Sequence, residues 1–417
     1  MKEPLETLLA RSGLAFALLS YFLSGCGESP QVKVPPMIDS LTLESDSFGL
    51  SSTHESQMAV FEALFIDEGR YRIPGDPDPA RLRSFFEEIR ESYYRKAEGI
   101  DYTLIGKQYH TFTHAMDVMI VTHALLRSGG GVYFSDGEAA SLVLAGLGHD
   151  AMHTGVTNTF LINSKHPFLE ETGPDSLQEK RSVKHMLNLM DKHEILVVRE
   201  DMSPELQAEI IGARNLIEQS ILWTDITRHK DQLGKMVAAV PEALGALSSA
   251  RGHDGKEKTI GATEGDLSVR EKVSSALADD TRVLLGSFFL HVADINNPGR
   301  DWATCERWAG LVMNEFFSQG DLEKKLKLPV SMLCDRDKVK VPFAQIGFGK
   351  FVIRDLYELL KQISPTAGNY LLNNFEQNQK KWQAIEENVL SSGKPYEIKF
   401  QPPTREGGWD GNSSSGN

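Results

Sequence analysis

Several of the twelve histidines stand in tight groups with acids. The stretch YHTFTHAMD sets His110 and His114 four apart, a spacing that puts both on one face of a helix. GLGHDAMHTG sets His149 and His153 four apart, with Asp150 beside the first. FFLHVADINNP sets His291 and Asp294 three apart. Each group ends or interrupts an apolar run of the kind a protein buries. A single histidine on an apolar face is ordinarily satisfied by a carbonyl. Three groups with acids differ, because ionisable side chains are too costly to bury repeatedly without a compensating charge. A metal ion supplies that charge. Imidazole nitrogen with carboxylate oxygen suits zinc, manganese, magnesium or iron, and the lack of cysteine in these groups excludes a thiolate site.

The elements that must position these groups are helical. With 417 residues, 41% hydrophobic and 24% charged, the chain has the composition of a globular protein with a sizeable core. PARLRSFFEEIRESYYRKAEGI places Leu82, Phe85, Phe86, Ile89 and Tyr93 on one helix face. HAMDVMIVTHALLRSGGG reads as an apolar helix closed by glycines, and FGKFVIRDLYELLKQI as an amphipathic one. Alternating, strand-like runs are scarce. The expectation is one compact all-α domain over residues 48–390, interrupted by a mobile Gly/Ser-rich loop at 245–266. Residues 31–47, with two prolines, read as a linker, and residues 391–417 as a disordered tail.

Ahead of that linker, GLAFALLSYFL at 13–23 is shorter than the ~20 residues a bilayer span needs. It reads as a leader, a membrane tether or an amphipathic helix, with Glu3 and Glu6 weighing against a leader. Cys26, Cys305 and Cys334 are widely spaced, which fits neither a disulfide framework nor a zinc finger and suits a reducing compartment. A cytoplasmic location is therefore expected, or a tethered or exported one if the N-terminal stretch acts as an anchor or leader. The net charge of −14 argues against a nucleic-acid partner. It also means that an anionic substrate needs local or imported cations.

The order His114, His149-Asp150, Asp294 resembles the ligand order of the HD superfamily of metal-dependent phosphohydrolases. Within it, the chain resembles the class I cyclic nucleotide phosphodiesterases. YHTFTHAMDV is similar to their Y-H-N-x-x-H-A-x-D-V, HDAMHTGVTN to H-D-x-x-H-x-G-x-x-N, and HVADINNP to H-x-A-D-x-x-N-P. ILWTDITRH, LPVSMLCDRD and AQIGFGKF follow in kind, and the motifs span residues 109–351 in the family's order. Departures are Thr111 for Asn, Ala344 for Ser, Gly349 for an aliphatic residue, and Lys180-Arg181 after the retained Glu179.

The resemblance implies the multi-helix fold of that family and hydrolysis of a 3′,5′-cyclic nucleotide (cyclic AMP, cyclic GMP or both) to the 5′-monophosphate by hydroxide activated between two metals. It implies zinc at a tight site of His114, His149, Asp150 and Asp294. Asp150 would bridge to magnesium or manganese, completed by waters that His153, Glu179 and Thr224 orient. His110 would protonate the leaving oxygen. Phe348 and Val312 would sandwich the base, Gln345 would pair with it, and Tyr109 and Asn297 would line the same pocket, Asn297 leaning towards cyclic AMP. Asp225 would fix a wall or loop. HTGVTNTFLI and Trp302 resemble the calmodulin-stimulated branch, which carries a different residue at Asn297. No basic amphipathic target helix is evident upstream, so no calmodulin site is expected. The rival readings are another HD-type nucleotide phosphohydrolase and a catalytically weak nucleotide-binding protein.

Overall fold

The computed structural model describes residues 41–67, 70–251 and 267–398, and these residues contain helices and no β-strand. Helices α1 (Ser47–Leu50) and α2 (His54–Glu62) open the chain, α2 running into a π-helical turn, Ala63–Asp67. Helix α3 (Pro79–Ser92) starts on an Asp78 cap with proline in its first turn and buries Leu82, Phe85, Phe86 and Ile89, as the spacing requires. Helices α4 (Phe112–Arg127) and α5 (Asp136–Gly148) are apolar nearly all round and form the centre of the core. A capping box between Ser135 and Glu138 sets the start of α5.

Short helices α6 (Asn158–Asn163) and α7 (Phe168–Thr172) lead to α8 (Leu177–Lys192) and α9 (Pro204–Leu222). Helices α10 (His229–Arg251), α11 (Leu267–Ala276) and α12 (Asp279–Asp294) follow. The chain ends with α13 (Trp302–Lys325), α14 (Val341–Phe348), a π-helical turn Gly349–Ile353, α15 (Arg354–Ile363) and α16 (Pro365–Ser392).

Helix α5 packs against α4 and α9, and α12 closes on all three. The α4–α5 crossing is unusually close. A Cβ on Gly146 would lie 3.0 Å from the Met119 Cα, so only glycine fits there without a shift. This crossing brings the start of α4, the end of α5 and the end of α12 to one place, which is where the histidine–acid groups lie.

The structure corrects four sequence expectations. Leu41 and Leu43 belong to the main core, so the folded body begins before residue 48 and residues 41–47 are not a linker. Helix α10 continues through Gly245 to Arg251, because Leu247 keeps the buried face going; residues 252–266 lie outside the described residues. Helix α16 runs on to Ser392, two residues into the expected tail, where Gly393 in the left-handed region stops it. Finally, α4 begins at Phe112, so His110 sits in the turn before the helix, not on its face. No described helix is long and apolar enough to cross a membrane, and the stretch 13–23 lies outside the described residues.

Candidate active site

Three helix termini meet at the site. His114 projects from the first turn of α4, His149 caps α5 with Asp150 next to it, and Asp294 is the last residue of α12. His114 Nε2 lies 3.0 Å from Asp294 Oδ1 and 3.7 Å from Asp150 Oδ2. His149 Nε2 lies 3.3 Å and 3.2 Å from the same two oxygens. Donors about 2.1 Å from one ion in tetrahedral or octahedral array sit roughly 3.0–3.4 Å apart; three of the four separations lie in that range and His114–Asp150, at 3.7 Å, is longer. The imidazoles are fully buried and the carboxylates are slightly exposed, at 13% and 14%, which turns the acids towards solvent.

The donor chemistry fits as well. His149 Nδ1 donates to the Gly146 carbonyl at 2.9 Å, which turns the buried Nε2 towards the two acids and makes it the atom available to an ion. His114 has no such anchor on Nδ1; its ring is held instead between Tyr109, 4.5 Å away, and Trp308, 5.5 Å away. Burial opposes ionisation of Asp150 and Asp294, but the facing histidines win and hold both carboxyls well below the usual range. Burial likewise opposes the His149 imidazolium, and the two acids still raise it well above the ordinary value. His149 and the two acids, which hold one another charged, are a set whose proton a divalent ion would replace.

His110, His153 and Glu315 form an adjoining group, each offering a ligand atom within 4.8 Å of the others. The His110 ring stacks on His153 at 3.8 Å and stands edge-on to His114 at 6.1 Å. Glu315, on the buried face of α13, takes His110 Nδ1 with Oε1. Its Oε2 accepts the backbone N–H groups of Gln108, Tyr109 and His110 at 2.8, 2.9 and 3.3 Å. Burial raises the Glu315 carboxyl but His110 and the other donors bring it down to about 2. Burial alone would lower His110, yet Glu315, Asp150 and Asp294 raise it above the ordinary value. Burial and the neighbouring His110 charge hold His153 well below its ordinary value.

Glu179 accepts from Asn158 Nδ2 at 2.9 Å, and burial with the charge of Asp225 raises it to about 7. Thr224 is buried and its hydroxyl donates to the Ile221 carbonyl at 2.8 Å. Asp225 ties two segments together, accepting from Thr227 N at 2.9 Å and from Ser176 Oγ at 2.8 Å.

Beside the metal ligands, Asn297 Nδ2 donates to the Tyr109 hydroxyl at 2.7 Å, while Asn297 Oδ1 is buried without a partner. Val312 packs on the cluster of Phe48, Tyr109, Trp308 and Leu311. Gln345 and Phe348 are half-buried on α14, Phe348 resting on the main core. Phe348 and Val312 thus pack against different apolar clusters.

Two of the departures have structural reasons. A Cβ on Gly349 would lie 2.2 Å from Gln379 Nε2, so α16 occupies the space of an aliphatic side chain. Lys180 donates to the Thr172 carbonyl at 3.0 Å and Arg181 lies 3.2 Å over Phe168, which pins α7 to α8. Thr111 is the N-cap of α4 but makes no side-chain cap bond.

Sequence reasoning missed Glu315 and the buried Asp117–Arg300 pair. The available signal was the charge itself. Glu315 falls at helical spacing with Trp308, Leu311 and Leu322, all buried, where an unpaired acid would be costly.

The 3'5'-cyclic nucleotide phosphodiesterase family profile matches residues 109–375. The human dual specificity calcium/calmodulin-dependent 3',5'-cyclic nucleotide phosphodiesterase 1B is 28% identical over 325 residues, covering 76% of this chain and 51% of that protein. The Drosophila melanogaster phosphodiesterase 1 of the same description is 30% identical over 314 residues, covering 74% of this chain and 32% of that one. The chain thus spans about half the length of the mammalian relatives it matches. Among solved structures, the phosphodiesterase domain of the RhoPDE fusion protein from the choanoflagellate Salpingoeca rosetta is similar in fold. Its TM-score is 0.65 at 23% identity, covering 84% of this chain and 96% of that one.

Proposed function

The chain belongs to the 3'5'-cyclic nucleotide phosphodiesterase family, and we propose that it hydrolyses a 3′,5′-cyclic nucleotide, with a preference for cyclic AMP, to the nucleoside 5′-monophosphate. The observation that carries this reading is the convergence of His114, His149, Asp150 and Asp294 on one point, with His110 in the next layer. We assign zinc to that point. Magnesium or manganese would stand beside it on Asp150, with His153, Glu179 and Thr224 orienting waters. Bound there, divalent ions would neutralise the cyclic phosphate and supply a nucleophile near neutral pH.

The chain's own groups do the rest. His110 presents Nε2 because Glu315 engages Nδ1, and its raised pKa keeps the imidazolium available to protonate the leaving O3′. Glu315 also clamps the turn on which His110 sits, so the donor is fixed before substrate arrives. Gln345 offers the base a donor and an acceptor from one amide. Phe348 and Val312 supply its apolar faces.

The preference for cyclic AMP rests on Asn297. Its Nδ2 is committed to Tyr109, and the oxygen left over is an acceptor. An acceptor matches the adenine N6 amino group and faces the guanine O6 with two lone pairs.

Incubating the full chain with cyclic AMP and cyclic GMP in the presence of magnesium, then separating products by chromatography, tests the reading. Formation of 5′-AMP faster than 5′-GMP is expected. Nucleotide binding without product would favour the weakly catalytic reading. Turnover confined to non-cyclic nucleotides would favour another HD-type hydrolase.

A further inference from the structure

Residues 41–51 precede the span matched by the family, residues 109–375, yet they are built into the wall of the candidate pocket. The Asp46 side chain accepts from Phe48 N at 3.1 Å and caps the single turn of α1. That turn directs Phe48 inward, where it is 8% exposed with its ring 4.5 Å from Trp308. The Arg307 guanidinium lies 3.5 Å over the same Phe48 ring. Trp308 in turn meets the Tyr109 ring at 5.3 Å and the His114 ring at 5.5 Å. Phe48 therefore supports the residue that packs on Tyr109, while His114 keeps its own contact to Asp294 Oδ1 at 3.0 Å.

The neighbouring Ser47 acts through a second set of contacts. Its hydroxyl donates to Asp117 Oδ1, which also receives Arg300 Nη1 at 3.1 Å. Asp117 Oδ2 accepts from Asn296 Nδ2 at 3.0 Å, and Arg300 Nη1 reaches Asn296 Oδ1 at 3.0 Å. Arg300 also donates to the Ser45 carbonyl, tying the segment to the network from a second point. Ser47, Asp117, Asn296 and Arg300 are all buried. A buried ion pair tolerates few arrangements, because each charge needs its full set of partners. The network thus sets the backbone at Asn296, and with it Asn297.

We propose that Ser47 and Phe48 are positioning residues for substrate: they hold Tyr109, Trp308 and Asn297 in the geometry that accepts the nucleotide base. The proposal rests on the reading of this pocket as the nucleotide site. A residue that only filled the core would lower stability without changing recognition. A positioning residue lowers affinity for the nucleotide while leaving bound metal and the chemical step in place.

The test compares the full chain with Phe48→Ala, Phe48→Leu and Ser47→Ala. Affinity for a fluorescent cyclic AMP analogue, KM, kcat and metal content are measured for each. Phe48→Ala should weaken binding and raise KM about tenfold, with metal content unchanged and kcat within about twofold. Phe48→Leu should recover most of the loss, and Ser47→Ala should weaken binding about threefold. If Phe48→Ala does not fold, Ser47→Ala carries the test. Wild-type affinity in folded Phe48→Ala or Ser47→Ala, or loss of metal and kcat in step with affinity, overturns the proposal. A wild-type chain that binds no cyclic nucleotide overturns the functional reading instead.

Discussion

Both oxygens of Glu315 are committed to the turn that carries His110, and this has a consequence for pH dependence. His110 must be protonated to act as the acid. Its activity is therefore retained below its raised pKa and lost as pH climbs through that value. Glu315→Gln removes the nearest carboxylate, so the imidazolium loses its proton at lower pH. The alkaline limb of the kcat profile should move towards acid, and kcat at the optimum should fall about 10- to 100-fold. An unmoved limb in the variant would mean that Glu315 does not tune His110. At Asn297 the prediction concerns choice, not rate. Asn297→Ala removes the unpartnered acceptor, so the ratio of kcat/KM for cyclic AMP over cyclic GMP should drop about tenfold. A ratio that stays put would place the discrimination elsewhere in the pocket.

At the scale of elements, the site depends on how closely α4 and α5 cross. Gly146 lies at that crossing, and its carbonyl is also the acceptor that orients the His149 ring. Gly146→Ala would push against the Met119 backbone, destabilise the fold by about 1–3 kcal/mol and draw His149 away from His114. Thermal unfolding together with metal titration checks this: both the midpoint and the metal affinity should fall. A fall in the midpoint alone would separate the crossing from the site. Helices α3, α4 and α5 were legible in the sequence because their apolar spacing and caps are local signals. The start of α4 was less so. Continuous helical spacing through His110 hid the turn that the Glu315 carboxylate stabilises from a helix some 200 residues away. The end of α10 was misjudged for a related reason: Gly245 and two serines look like a loop until Leu247 is seen to be buried.

Across the whole molecule, the acidic balance and the metal cluster have one explanation. The chain carries a net charge of −14, and under the proposed function the cations near His114, His149, Asp150 and Asp294 would come from bound ions. Those four side chains were legible because their motifs keep histidine and acid adjacent in sequence. Their partners were not. Glu315 reaches His110 from α13, and Asp117, although it lies on α4 with His114, finds its partner Arg300 in the turn before α13, so neither pairing is announced by sequence neighbours. The N-terminal boundary escaped for a similar reason, since Leu41 and Leu43 are apolar residues next to a proline-containing stretch, and their place in the main core rests on distant contacts.

The most direct measurement follows turnover of cyclic AMP while the metal is removed and returned. The wild-type chain and Asp294→Ala are each assayed as purified, after chelation and after readdition of zinc with magnesium, with bound metal quantified at every stage. The wild type should lose turnover on chelation and regain it with the ions. Asp294→Ala should keep its helical content by circular dichroism but bind less metal and stay inactive throughout. Undiminished turnover in the stripped wild type, or in Asp294→Ala, would contradict the assignment of these four side chains.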